Sequence, residues 1–148
     1  MSSSGKKGGR DACGTLANLW QLIQLVMDDS EPALEALGLS AKAFFLLDEV
    51  ADHPFPAELA RRMHLPPPTV TYLVKQLEAK GFLERRTEAG DLRKFRLVQT
   101  PAGKEALRRG AEALGGMFDE RLRRLAPDEL AAFDQAVSRL ARPRNGGG

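Results

Sequence analysis

Residues 57–103 read AELARRMHLPPPTVTYLVKQLEAKGFLERRTEAGDLRKFRLVQTPAG. A helix is predicted over about 56–63, with Leu59, Ala60 and Met63 on its inner side, and a turn at His64, Leu65 and Pro66 follows. A second helix opens near Pro67 and runs to Lys80, where Gly81 stops it. In that helix Val70, Leu73, Val74 and Leu77 share one stripe and form the buried side. At 3.6 residues per turn the opposite side carries Pro68, Tyr72, Lys75 and Ala79, flanked by Thr71 and Gln76. Two strands, 82–87 and 92–99, then enclose a turn at Glu88–Asp91. Helix, tight turn, helix and basic hairpin make the order of a helix-turn-helix with a wing, a device for setting a helix in the DNA major groove.

Outward from this stretch, the charge is uneven although the formal net charge is only +2. Residues 61–96 hold nine Lys/Arg against four acids, while residues 11–60 hold nine acids against Lys42 alone. A basic patch on an acidic body suits a polyanion, although a solvated charged surface has the same composition. The single cysteine, Cys13, has no partner for an internal disulfide, and no Cys/His cluster has zinc spacing. No apolar run resembles a signal peptide or reaches the ~18 residues of a membrane span, so a cytoplasmic protein without membrane contact is expected. Neither a Gly-rich phosphate loop nor a nucleophile elbow occurs. Both histidines stand apart from any evident carboxylate or cysteine constellation, so neither an enzyme nor a cofactor is expected.

Upstream, a helix starts near residue 13 on the apolar stripe Leu16, Leu19, Trp20, Leu22, Ile23, Val26 and Met27. Pro32 is expected to kink or restart it before the Gly38 stop. Ser40 caps the next helix, with Phe44, Leu47 and Val50 inward, ending at His53-Pro54. Downstream, Thr100-Pro101 starts a helix that extends toward Leu125, and Pro127 opens another to about Ala141 on Leu130, Phe133, Val137 and Leu140. The fold class is thus mostly α, six helices with a small β-hairpin wing. Residues 39–100 form the DNA-binding lobe, and 13–37 with 101–142 are dimerisation helices whose apolar sides the lobe cannot cover. An obligate-type symmetric dimer is expected to bury them. Residues 1–12 and 143–148 read as disordered tails.

The run LARRMHLPPPTVTYLVKQLEAKGFLERR and the wing run DLRKFRLVQTPAG resemble the MarR (multiple antibiotic resistance regulator) family of bacterial transcription factors over about residues 13–142. Asp91, Arg93, Thr100 and Gly103 match that family's wing pattern, whereas Gln99 replaces its usual leucine. The resemblance implies a triangular homodimer held by the first and the last two helices, the helix over 67–80 in the major groove, and the wing arginine in the minor groove. On this reading Thr69, Thr71, Tyr72, Lys75 and Gln76 read base edges, and helix N–H groups near Thr69 meet a phosphate. Arg93 anchors the wing, held by Asp91. Arg85, Arg86, Lys94 and Arg96 touch phosphates.

The expected function is a sequence-specific double-stranded-DNA regulator, a ligand-responsive repressor on a pseudo-palindrome with half-sites one helical turn apart. The inducer implied by the resemblance is a small aromatic or phenolic anion bound between dimer core and DNA lobe. Trp20 and His64 are candidates to line its site, against the plainer readings of a core aromatic and an inert exposed imidazole. Three departures from the family stand out: Pro66, Pro67 and Pro68 replace a polar cap, Phe55 stands where a Ser/Thr cap often does, and Gly110, Gly115 and Gly116 interrupt a helix. Those glycines are read either as a hinge or, preferably, as close packing across the dimer. Cys13, near the start of the first helix, offers the alternative of a thiol-based peroxide sensor, which the family also contains. A winged helix that only docks proteins is the other alternative.

Overall fold

The computed structural model describes residues 10–142, without the side chains of Leu92 and Arg93. Of the expected tails 1–12 and 143–148, residues 1–9 and 143–148 lie outside the described residues, whereas Asp11 caps α1 and Ala12 opens it, so the helix begins inside the expected tail. The chain order is α1 (Ala12–Ala36), α2 (Ala41–Glu49), α3 (Pro56–Met63), α4 (Pro67–Ala79), β1 (Leu83–Glu88), β2 (Asp91–Gln99), α5 (Pro101–Leu122) and α6 (Pro127–Leu140).

Most helix ends follow from side chains that satisfy the orphaned backbone groups. Asp11, Ser40 and Thr100 accept from the amides of Gly14, Ala43 and Gly103. At the end of α1, Gly38 takes φ +80°, the Gly38 amide donates to Glu35 O and the Leu39 amide to Leu34 O, a Schellman closure. Pro32 does not restart the helix, and α1 runs through it without interruption. Pro32 and Asp28, whose carbonyl loses its helical donor there, are both exposed, so water can satisfy that carbonyl on the solvent side.

The core gathers Leu34, Leu39, Phe44, Leu46, Leu47, Val50, Leu59, the α4 stripe, Leu83, Leu97, Ala106 and Leu114. Each large apolar side chain buried there contributes about 1.5–3 kcal/mol of transfer free energy. Helix α5 lies along α1, and α2 packs between them and α4. Gly110 makes the α2 approach close: a Cβ there would sit 2.7 Å from Phe44 Cδ2. The close packing expected across a dimer is therefore, at Gly110, packing inside one chain, while Gly115 and Gly116 face open space.

The wing is an antiparallel pair in which Leu83 faces Gln99 and Arg85 faces Leu97, with a bulge at Thr87/Glu88 and a turn through Gly90 at φ +88°. Its base is anchored to the helices. The Leu97 amide donates to Pro54 O at 2.8 Å, and Gln99 Nε2 donates to Leu47 O at 2.7 Å. Gln99 thus hydrogen-bonds the last turn of α2.

Candidate nucleic-acid interface

Helix α4 presents two chemically different sides. Val70, Leu73, Val74 and Leu77 are at most 5% exposed, whereas Thr71, Tyr72, Lys75 and Gln76 face solvent. The inward stripe fixes the rotation of the helix, so the polar side is held outward by the core rather than by its own contacts. Within it, Gln76 Nε2 donates to Tyr72 Oη at 2.8 Å, and Thr71 Oγ1 donates to the Pro67 carbonyl at 3.1 Å. Thr69 is only half-exposed.

The N-terminus of α4 differs from the expectation of amides free to meet a phosphate. Pro67 and Pro68 have no N–H, and the Thr69 and Val70 amides both donate to Pro66 O. The three consecutive prolines leave a helix start with its donors absent or engaged. The preceding turn is closed by His64 at φ 53°, an unusual conformation for a non-glycine residue, which places that imidazole outward as the C-cap of α3.

Most wing cations have partners. Arg85 Nε pairs with Glu78 Oε1 of α4 at 2.8 Å, and its guanidinium lies 4.5 Å from the centre of the Phe95 ring. Arg86 pairs with Glu84 at 2.8 Å, and Arg96 lies 3.9 Å from Glu88. Such exposed pairs are worth about 0–1 kcal/mol, so a phosphate can compete for them. Arg85, tied both to α4 and to an aromatic, is a strut between helix and wing. Lys75 and Lys94 are exposed, and among the described residues neither is in an ion pair. Asp91 is half-buried with a polar interaction of its own, while the Arg93 side chain expected beside it lies outside the described residues.

One constellation escaped the sequence reading. His53 Nδ1 lies 2.7 Å from Glu58 Oε1 and Nε2 lies 3.9 Å from Glu49 Oε2, which also accepts from Arg62 Nε at 3.0 Å. His53, expected to stand apart from any carboxylate constellation, sits between two carboxylates and clamps the end of α2 to α3. The spacing of Glu49 and His53, one helical turn apart, was the available signal; the reversal at Pro54 that brings Glu58 back was not visible in it.

Cys13 is exposed in the first turn of α1, whose positive end is already met by the Asp11 carboxylate. The chain's one tyrosine bonds Gln76 on α4. Trp20 is 65% exposed, so it is not a core residue of the single chain. A cavity of about 380 Å³ lies between α1, α2 and α4; Asp28, Glu31, Glu35 and Lys80 line it, and neither Trp20 nor His64 does. A second cleft of about 310 Å³ carries Arg96 and Lys104. Among the described residues no group of three or more His, Cys, Asp or Glu could hold a metal ion, and no helix is long and apolar enough to cross a membrane.

Residues 37–94 match the sequence model of the MarR family. Among solved structures, the chain is similar to wild-type MarR from E. coli in its apo form, with 20% identity over 90% of this chain and 100% of that one and a TM-score of 0.76. It is similar to the Mycobacterium tuberculosis MarR family protein Rv2887 in complex with DNA, with 21% identity over 90% and 100% of the two chains and a TM-score of 0.72. CouR from Rhodococcus jostii RHA1, bound to p-coumaroyl-CoA, matches at 18% identity over 93% and 96%, with a TM-score of 0.71. No curated protein matches the chain in sequence.

Proposed function

We propose that this chain, whose residues 37–94 match the MarR family model and whose fold is similar to that of MarR, is a cytoplasmic, homodimeric member of that family, a sequence-specific double-stranded-DNA-binding regulator that represses transcription from a pseudo-palindromic operator. The observation that carries this reading is α4: a polar side of Thr71, Tyr72, Lys75 and Gln76, held outward by four buried aliphatic residues and flanked by a cationic wing. A related fold has been solved on DNA. In this reading those four residues and Thr69 contact base edges. Arg86, Lys94 and Arg96 meet phosphates, Arg85 braces the wing, and Asp91 with Arg93 forms the wing tip.

The dimer rests on apolar surface that the single chain leaves open. Leu16, Trp20 and Ile23 of α1 are 66%, 65% and 50% exposed, and Val137 and Leu140 of α6 are 42% and 82% exposed. Helix α6 buries no residue fully. A second copy covers both stripes at once through an isologous contact.

The inducer belongs to the same reading, and charge distinguishes the two clefts. The cavity between α1, α2 and α4 offers three carboxylates against one lysine, whose Nζ is engaged by the Gly38 carbonyl. The cleft with Arg96 and Lys104 suits a small aromatic anion, the class to which salicylic acid, seen in complex with the similar Rv2887, belongs. Fluorescence anisotropy on DNA from upstream of the protein's own gene, against scrambled DNA at two salt concentrations, tests the regulator reading. Selective binding that weakens steeply with salt is expected. Salt-insensitive, sequence-blind binding, with no sequence enriched from random DNA, would leave a docking module instead. Release of operator by hydroperoxide, abolished by Cys13→Ser, would move the signal from a ligand to the thiol.

A further inference from the structure

Resting on the reading of α4 as the base-contacting helix, we infer that Tyr72 and Gln76 act as one unit that reads a single adenine in each half-site. The two residues are one helical turn apart, and Gln76 Nε2 donates to Tyr72 Oη at 2.8 Å on the exposed side of α4. Because the tyrosine oxygen accepts this bond, its own O–H remains free to donate outward. The same bond engages one of the two amide N–H groups on the tyrosine, and the amide oxygen, an acceptor only, is not used in it. The pair therefore presents one donor and one acceptor, side by side.

Adenine is the one base whose own major-groove edge matches that pattern: N7 accepts and the N6 amino group donates. Guanine shows two acceptors, so its O6 would face the lone pairs of Gln76 Oε1. Cytosine offers a donor alone, and thymine an acceptor beside a methyl group. The neighbours on this side of the helix lack the combination. Thr71 donates its hydroxyl proton to Pro67 O, and Lys75 has donors only. A lone glutamine can turn its amide either way; in this pair the amide nitrogen faces Tyr72 Oη, which leaves the amide oxygen to meet the base. Tyr72 Oη donates to N7 and Gln76 Oε1 accepts from N6.

The test uses the full-length dimer and the operator it selects from random DNA, with each adenine replaced in turn by 7-deazaadenine, which lacks the N7 acceptor. At one symmetry-related pair of positions the analogue is expected to weaken wild-type binding roughly tenfold, within the range of a bidentate base contact. It should leave Tyr72→Phe almost unchanged, and Gln76→Ala should lose the preference for adenine over guanine at the same place. Tyr72 is 61% exposed, so Tyr72→Phe keeps the fold, and an unchanged thermal unfolding profile verifies it. Equal sensitivity of wild type and Tyr72→Phe to the analogue, or none at any position, overturns the adenine assignment while leaving the regulator reading intact. Failure of the wild type to select any sequence overturns both.

Discussion

The winged lobe and the helices outside it differ in how much of their own apolar surface they cover. In the lobe, Leu46, Leu47 and Leu59 are fully buried and Val70 and Leu77 are 1% exposed. On α6 the stripe residue Leu140 is 82% exposed, and on α1 Leu16 is 66% exposed. The same amphipathic pattern gives a finished core in one region and half of one in the other. The lobe's helices are short and return on each other through tight turns. On α1 the residues Leu16, Trp20 and Ile23, and on α6 Val137 and Leu140, are left uncovered by the rest of the described chain.

The largest expected effect breaks the unfinished region. Trp20→Glu together with Leu140→Glu puts charge into both open stripes, and sedimentation should find a monomer. Operator affinity should fall on the order of a hundredfold, as one half-site is then held without its tethered twin. A dimer that survives would place the seam elsewhere. Next, Leu59→Ala should cost about 2–5 kcal/mol in urea unfolding, because it opens a cavity in the finished core. Leu140→Ala should instead make the unfolding midpoint more dependent on protein concentration.

Two glycines of α5 sharpen the comparison further. Gly110→Ala drives a methyl group into the Phe44 ring and should destabilise by about 1–3 kcal/mol. Gly116→Ala meets nothing within 4 Å in the single chain and should stabilise the helix by roughly 1 kcal/mol. A loss at Gly116 would show that the partner's backbone packs there. The smallest effect is electrostatic. Arg108, hydrogen-bonded to Glu105 at 2.8 Å, holds the Glu105 carboxyl below its ordinary range. A depressed folded-state value adds stability above the unfolded-state value and loses it as pH falls through the folded one. Both groups are on the surface, so Arg108→Ala should narrow the difference in melting temperature between neutral and acid pH only slightly, by calorimetry.

Much of the lobe was legible because its signals are local. Leu59 and Ala60, the α4 stripe, the Gly81 stop and the Thr100-Pro101 start each depend on spacing within one or two turns, and they lie where spacing puts them. Three features were not legible, each for a physical reason. The continuity of α1 through Pro32 depends on which side of the helix meets water, and that is set by α5 and α2. The packing role of Gly110 depends on Phe44, 66 residues away in the chain. The clamp on His53 depends on a chain reversal. Of the candidate interface, the outward side of α4 followed from periodicity. The hydrogen bond between Tyr72 and Gln76, the pairing of Arg85 with Glu78 and the absence of free amides at the start of α4 required atomic positions.

Pro54, Pro56, Pro66, Pro67 and Pro68 lie within fifteen consecutive residues, and the chain has nine prolines in all. Each ring fixes φ before any contact forms and also restricts the residue preceding it. Where the native backbone accepts such a ring, the gain is about 0.4–1 kcal/mol per site, and it comes from the unfolded chain having fewer conformations to lose. Part of what keeps the entrance to α4 in place is therefore absent from the folded state's contacts. It resides in the poverty of the denatured ensemble, and the turn between α3 and α4 is half-drawn before the protein folds.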